Sequence, residues 1–187
     1  MLSAALTKNF DSLLTGEELA KMPDIGPSEL VEGELVYMSP TGYTHGITEI
    51  GVGSILRAFV RKNNLGIVMT GEVGIYTSRN PDTIRAADVI YISHERMAKV
   101  ESDSFLDIAP ELVVEILSPG DRWYEVSDKT AEYFSAGVKS VWLVNPRRKQ
   151  VFVYHSPANV KCYGQDEILS DETVLPGFAV ATEEFFN

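Results

Sequence analysis

The spacing of apolar residues changes several times along this chain, and each change marks an element. From His45 to about Asn63, Ile47, Val52, Ile55, Leu56, Phe59 and Val60 recur at helical intervals. That period winds an apolar stripe along a helix of about five turns. Gly51 and Gly53 fall inside it. Each costs about 1 kcal/mol against Ala, so the pattern predicts a neighbour packed close to the helix backbone. Short β-rich runs follow: Gly66 to Glu72, Gly74 to Tyr76, and Arg85 to Ile92. Glu111 to Leu117 is almost wholly apolar, as a central strand covered on both faces would be.

A second helix is predicted from Asp121 to Ala136, with Gly137 as its C-terminal stop. Val138 to Val144 and Gln150 to Tyr154 read as strands around an Asn145-Pro146 turn, with a further strand near Val160 to Tyr163. Upstream, Thr15-Gly-Glu-Glu18 has the form of a capping box with Leu14 as its staple, opening a short helix that Pro23 ends. Glu29 to Met38 reads as a hairpin turning near Gly33. Strands mixed with a few helices predict an α/β (α+β) domain with a mixed sheet.

Composition narrows the picture. The chain has 187 residues, enough for one domain over 1–187, with residues 1–13 expected to be flexible. A single cysteine, Cys162, excludes an internal disulfide and a multi-thiolate zinc site. The start is not a convincing export signal, and no apolar run is long enough to span a bilayer. A soluble, cytoplasmic protein is the expectation. The net charge of −11 argues against a protein that coats nucleic acid non-specifically. It leaves room for a local basic groove, for which Arg57, Arg61, Lys62 and the turn residues Arg147, Arg148 and Lys149 are the candidates.

Glu115 is the only charge within Leu112 to Leu117. A carboxylate there must be paired, protonated or bound to metal, because burying it alone is expensive. Asp88 interrupts Ala86 to Ile92 in the same way. If the two strands are neighbours, two hard oxygen ligands meet near one end, which suits Mg²⁺. Edge-strand acids or a structural ion pair fit the same residues. Lys129 follows on the second helix at the margin of the face carrying Val126, Tyr133 and Phe134. It is placed to stabilise phosphate charge, and alone it also fits a solvated lysine. His45 and Glu49 are one helical turn apart and share a face. The remaining aromatics, Trp123, Tyr124, Tyr133 and Trp142, read as core or rim residues. The sequence shows no phosphate-binding glycine loop and no Gly-x-Ser-x-Gly.

Taken in order, these segments resemble a known family: Glu29-Leu-Val-Glu-Gly-Glu34, Met38-Ser-Pro40, His45-Gly46, Arg85-Ala-Ala-Asp88, Pro110 to Pro119, Lys129 with Tyr133, Gly137-Val138, Val141 to Pro146, Leu175 to Phe178 and Phe185-Phe186. The chain is similar to the Uma-two family of restriction-endonuclease-like proteins over about Leu14 to Phe186. The resemblance implies a PD-(D/E)XK nuclease core, a mixed sheet flanked by helices, here with an N-terminal hairpin and C-terminal strands. It implies that Asp88 and Glu115 hold Mg²⁺ (or Mn²⁺), with a lysine completing the site. Ala87 replaces the proline before the first acid, and Leu117 stands where the motif lysine would be, so Lys129 is the substitute. Glu29, Glu32 and Glu49 are candidates for an additional acid, with His45 beside them. The implied activity is a Mg²⁺-dependent endonuclease acting on DNA, and a homodimer follows by analogy. The alternative is a catalytically silent nuclease-fold module used for binding or assembly.

Overall fold

The computed structural model describes residues 13–187. The segment 1–12, on which most of the expected flexible start and the reading of the N-terminus as no export signal fall, lies outside the described residues. A capping box at Thr15 opens α1 (Gly16–Leu19), with the Thr15 and Glu18 side chains and backbones bonding reciprocally. The hairpin β1 (Ser28–Val31) and β2 (Glu34–Tyr37) turns at Glu32-Gly33, both with positive φ. Next come α2 (Tyr43–Lys62), β3 (Gly66–Ser78), β4 (Thr83–Ser93), the short α3 (His94–Met97) and β5 (Leu112–Ile116). The helix α4 (Trp123–Ala136) stops at Gly137, which takes the left-handed conformation expected of it. Strands β6 (Ser140–Asn145), β7 (Gln150–Ser156) and β8 (Asn159–Tyr163) follow, then the small pair β9 (Ile168–Ser170) and β10 (Ala179–Ala181) and a last 3-10 turn, Thr182–Phe186.

Eight strands form one sheet, ordered β2-β1-β4-β5-β6-β7-β8, with β3 on the other edge of β4. Only β5 and β6 run parallel, joined by the α4 crossover. Side chains on one face, among them Val89, Val114 and Trp142, pack under α2 through Val52, Leu56 and Val60. The opposite face, with Ile90, Val113 and Val141, is closed by Tyr133 of α4 and by Val138. The glycines of α2 have the predicted reason. A Cβ on Gly51 would sit 2.9 Å from the Phe185 carbonyl oxygen, and one on Gly53 2.7 Å from Thr70 Cγ2.

One expectation is corrected. The runs around Gly66 and Gly74 form a single strand, β3, rather than two. Thr70 pairs with Val89 and Val73 with Ala87, so Gly71 and Glu72 together face the single residue Asp88. Both take positive φ, the signature of a bulge that bends the strand without ending it. No helix among the described residues is long and apolar enough to cross a membrane.

Candidate active site at a gap in the sheet

The site is created by an interruption in pairing. Along one edge, β4 meets β1 at Ile84 and then β5 from Val89 to Tyr91. Arg85 to Asp88 lie between these two partners, where backbone groups would be left unbonded. Charged side chains occupy the places of the missing strand. Glu29 Oε1 accepts the Ala86 N–H at 3.0 Å, and Lys129 Nζ donates to the Ala86 carbonyl at 2.9 Å. Asp88 Oδ2 accepts the Ile116 N–H at 2.7 Å. One further step along the Val89–Val114 ladder brings Asp88 opposite Glu115. The acids picked out in two separate apolar runs therefore meet at one end of neighbouring strands.

Lys129 reaches this gap from α4 with all three N–H bonds engaged. It lies 2.9 Å from Glu29 Oε1 and 3.0 Å from Glu115 Oε1, besides its bond to Ala86. Tyr133, one turn later, donates to the same Glu115 oxygen at 2.6 Å. Arg85 holds the other side of Glu29 at 2.8 Å and grips Glu132 with two 2.6 Å bonds. On the α2 side, His45 Nε2 lies 3.3 Å from Asp88 Oδ2, and Glu49 Oε2 lies 4.0 Å from His45 Nδ1. The bulge on β3 presents its Gly71 N–H to Glu49 Oε1 at 3.0 Å. Ligand atoms of His45, Glu49 and Asp88 all lie within 4.8 Å of one another.

These environments set the proton affinities. Burial pushes Glu115 up to about 7 against the pull of Lys129, and the neighbouring Asp88 charge adds to the rise. Glu29 shares the same lysine but moves the other way. Burial would raise it, yet Lys129 and Arg85 hold it below the usual carboxylate range. The difference is the second cation, which Glu29 has and Glu115 lacks. Burial also acts to lower Lys129, but Glu115 and Glu29 outweigh it and keep the amine charged. The Asp88 hydrogen bond raises His45 against the effect of burial, and burial raises Glu49.

Beside this cluster an open cleft of about 800 Å³ runs between the start of α2, the β5–α4 loop and the β6–β7 turn. His45 of the cluster is among its lining residues, with Leu117 after β5 and Arg147 and Arg148 at the turn.

A profile described as "Putative restriction endonuclease", that of the Uma2 (Uma-two) family, matches residues 17–183. The chain belongs to the Uma2 family. This membership supports a nuclease function. Among solved structures, the chain is similar to a protein from Anabaena variabilis described as a putative nuclease belonging to DUF820. The TM-score is 0.76 at 20% identity, over 92% of this chain and 97% of the other, so the fold is shared. No curated protein matches the chain.

The residues singled out in the sequence fall into three groups. Asp88, Glu115, Lys129, Glu29, His45 and Glu49 converge at the gap. Glu32 sits in the β1–β2 turn, where its N–H bonds Thr83 Oγ1, and it makes none of the cluster's contacts. Arg61 is 16 residues beyond His45 on α2, about 24 Å along the axis at ~1.5 Å per residue. With Arg57 and Lys62 it lies toward the far end of the helix, whereas Arg147 and Arg148 border the cleft. Tyr133 read as a packing aromatic. Its spacing of four from Lys129 was the signal that both reach the same carboxylate.

Proposed function

We propose that this chain is a divalent-metal-dependent endonuclease that hydrolyses phosphodiester bonds in DNA, with Mg²⁺ or Mn²⁺ as its cofactor. The observation that carries the proposal is the convergence of Asp88, Glu115 and Lys129 at one gap in the sheet. The donor set fits a divalent cation. Among the described residues, Asp88 is bonded through Oδ2 and Glu115 through Oε1, so each acid keeps one oxygen without a bonded partner. His45 Nδ1 is buried with no hydrogen-bond partner beside them. Asp88 and Glu115 would hold the ion, with His45 and Glu49 alongside. The ion would supply Lewis-acid polarisation of a phosphoryl oxygen and would offset the charge of the acids.

The protein's own groups have distinct tasks. Lys129 keeps its proton, so it is not the base that activates water. It fixes Glu115 and adds positive charge where the phosphate gains negative charge. Tyr133 fixes the same oxygen and aims the other one. Glu29, held by Arg85, anchors the lysine. Hydrolysis adds the water hydroxyl to phosphorus and leaves the proton on the departing sugar oxygen.

Cleavage of supercoiled plasmid and circular single-stranded DNA with Mg²⁺, Mn²⁺ or chelator tests the reading. Wild type should cut only with metal, and Asp88→Ala should not cut. Equal behaviour of the two on every substrate defeats the proposal and leaves a catalytically silent nuclease-fold module.

A further inference from the structure

The cleft that opens from the candidate site has an unusual lining for an acidic protein. Two large aromatic rings border it in exposed positions: Tyr43, 85% exposed at the start of α2, and Trp123, 59% exposed at the start of α4. A single exposed aromatic needs no explanation, but two that line the same groove mark a candidate contact surface. Here both border open space beside Arg147 and Arg148. Arg79, Arg85, Arg96 and Arg122 each pair with a carboxylate. Among the described residues Arg57, Arg61, Arg147 and Arg148 do not, and of these four only Arg147 and Arg148 line the cleft. Asp121 also lines the cleft, but its Oδ2 accepts the Ser118 N–H at 2.7 Å.

We infer that this cleft takes unpaired nucleotides, so that the preferred substrate is single-stranded DNA. The inference rests on the proposed phosphodiesterase reading of the Asp88–Glu115 site. Three observations converge on it. The rings offer stacking to bases, which only unpaired bases can accept on their faces. Two free arginines suffice for one phosphate backbone, whereas a duplex is held by a longer run of cations along both strands. A net charge of −11 would penalise the denser duplex more heavily. The cleft of about 800 Å³ also falls in the size range that encloses a small organic group such as a nucleotide. Trp123, Arg147, Arg148 and His45 all line this one cleft, so a stacked base and its phosphate would share it with the edge of the acid cluster.

The chain has two tryptophans, and they report separately. Trp142 is fully buried in the core, so bound bases reach only Trp123. The test is titration of the full chain, in chelator, with a labelled 12-nucleotide single strand and the matching duplex. Tryptophan emission and anisotropy are read together. The single strand should quench emission and bind about tenfold or more tightly than the duplex. Trp123→Ala should weaken single-strand binding by about tenfold. Trp123→Phe should keep the affinity while losing the quench. Equal binding of duplex and single strand, or unchanged single-strand binding by Trp123→Ala, overturns the inference. Plasmid cleavage by wild type in the same preparation separates the two ideas. Metal-dependent cutting without single-strand preference defeats only the cleft assignment. Single-strand quenching with no cutting on any substrate defeats the nuclease reading.

Discussion

Two of the acidic centres packed against this sheet differ instructively, the one around Asp171 and the one around Asp88 and Glu115. Asp171 is 1% exposed, more deeply buried than either of the others. Its Oδ2 accepts from Ser140 Oγ at 2.6 Å and from Trp142 Nε1 at 2.9 Å. Its Oδ1 meets His155 Nε2 at 2.9 Å and the Thr173 N–H at 3.2 Å. Both oxygens are used, and no second carboxylate competes for the donors. Asp88 and Glu115 instead face each other, each with one oxygen tied down and one unbonded. Depth of burial therefore does not separate an acid satisfied within the fold from one proposed to hold a metal. The count of donors against acids does. The first centre is complete as folded, and the second carries excess negative charge that only a proton or a cation relieves.

The largest expected effect falls on the complete centre. Asp171→Ala strands four donors and should destabilise the fold by about 3–5 kcal/mol. Urea unfolding measures this, while cleavage per folded molecule should stay near wild type. Loss of cleavage without loss of stability would reverse the two assignments.

Glu115→Gln should do the opposite. Its carboxyl is raised to about 7 in the fold, so at pH 8 the ionised form is a burden, and the neutral amide should stabilise the metal-free protein by about 1–3 kcal/mol. Thermal melts in chelator show the sign directly. A clear decrease in stability would mean that the pair with Lys129 outweighs the burial of charge.

The same logic gives a pH dependence. Glu115, Glu49 and His45 all hold their protons more tightly folded than unfolded. The folded state then binds more protons, so metal-free stability should fall as pH rises from about 5 to 8. His45 stabilises below its unfolded value of 6.5 and loses that contribution as pH passes its raised value. Glu29 is shifted downward, so its contribution is fully present above about pH 4.5 and is lost only as pH falls below that value, outside this window. Melts across this range should lose about 1–3 kcal/mol, and saturating Mg²⁺ should flatten the slope. A stability that rises from pH 5 to 8 without metal would contradict the excess of acid at the site.

The smallest effects separate the two groups of surface cations. Arg147→Ala with Arg148→Ala should weaken single-strand affinity about tenfold and lower its salt dependence. Arg61→Ala with Lys62→Ala, at the distant end of α2, should change it by about twofold or less. Anisotropy at two salt concentrations reads both, and equal losses would place the binding path along α2 instead.

Much of this arrangement is legible in the residues. The apolar stripe from Ile47 to Val60, the capping box at Thr15 and the stop at Gly137 are local signals, and local physics decides them. Glu115 and Asp88 stand out because each breaks an apolar run. Less visible is what depends on non-local pairing. Gly71-Glu72 looks like a strand end, because a bulge and a turn use the same positive-φ residues. Nothing near Ala86 announces that β1 stops and β5 starts on either side of it, which is why Glu29 could not be separated from Glu32 as the additional acid near the lysine. Nothing in the Ser170-Asp171-Glu172 stretch marks Asp171, since its four donors come from three different segments.

Calorimetric titration of the metal-free protein with Mn²⁺ at pH 8 tests the central claim most directly. Wild type should bind with a dissociation constant below the millimolar range, Asp171→Asn should bind equally well where it is folded, and Asp88→Ala should lose the binding. A folded wild-type protein that takes up no metal at millimolar concentration, or an Asp88→Ala variant that binds as wild type does, would contradict it.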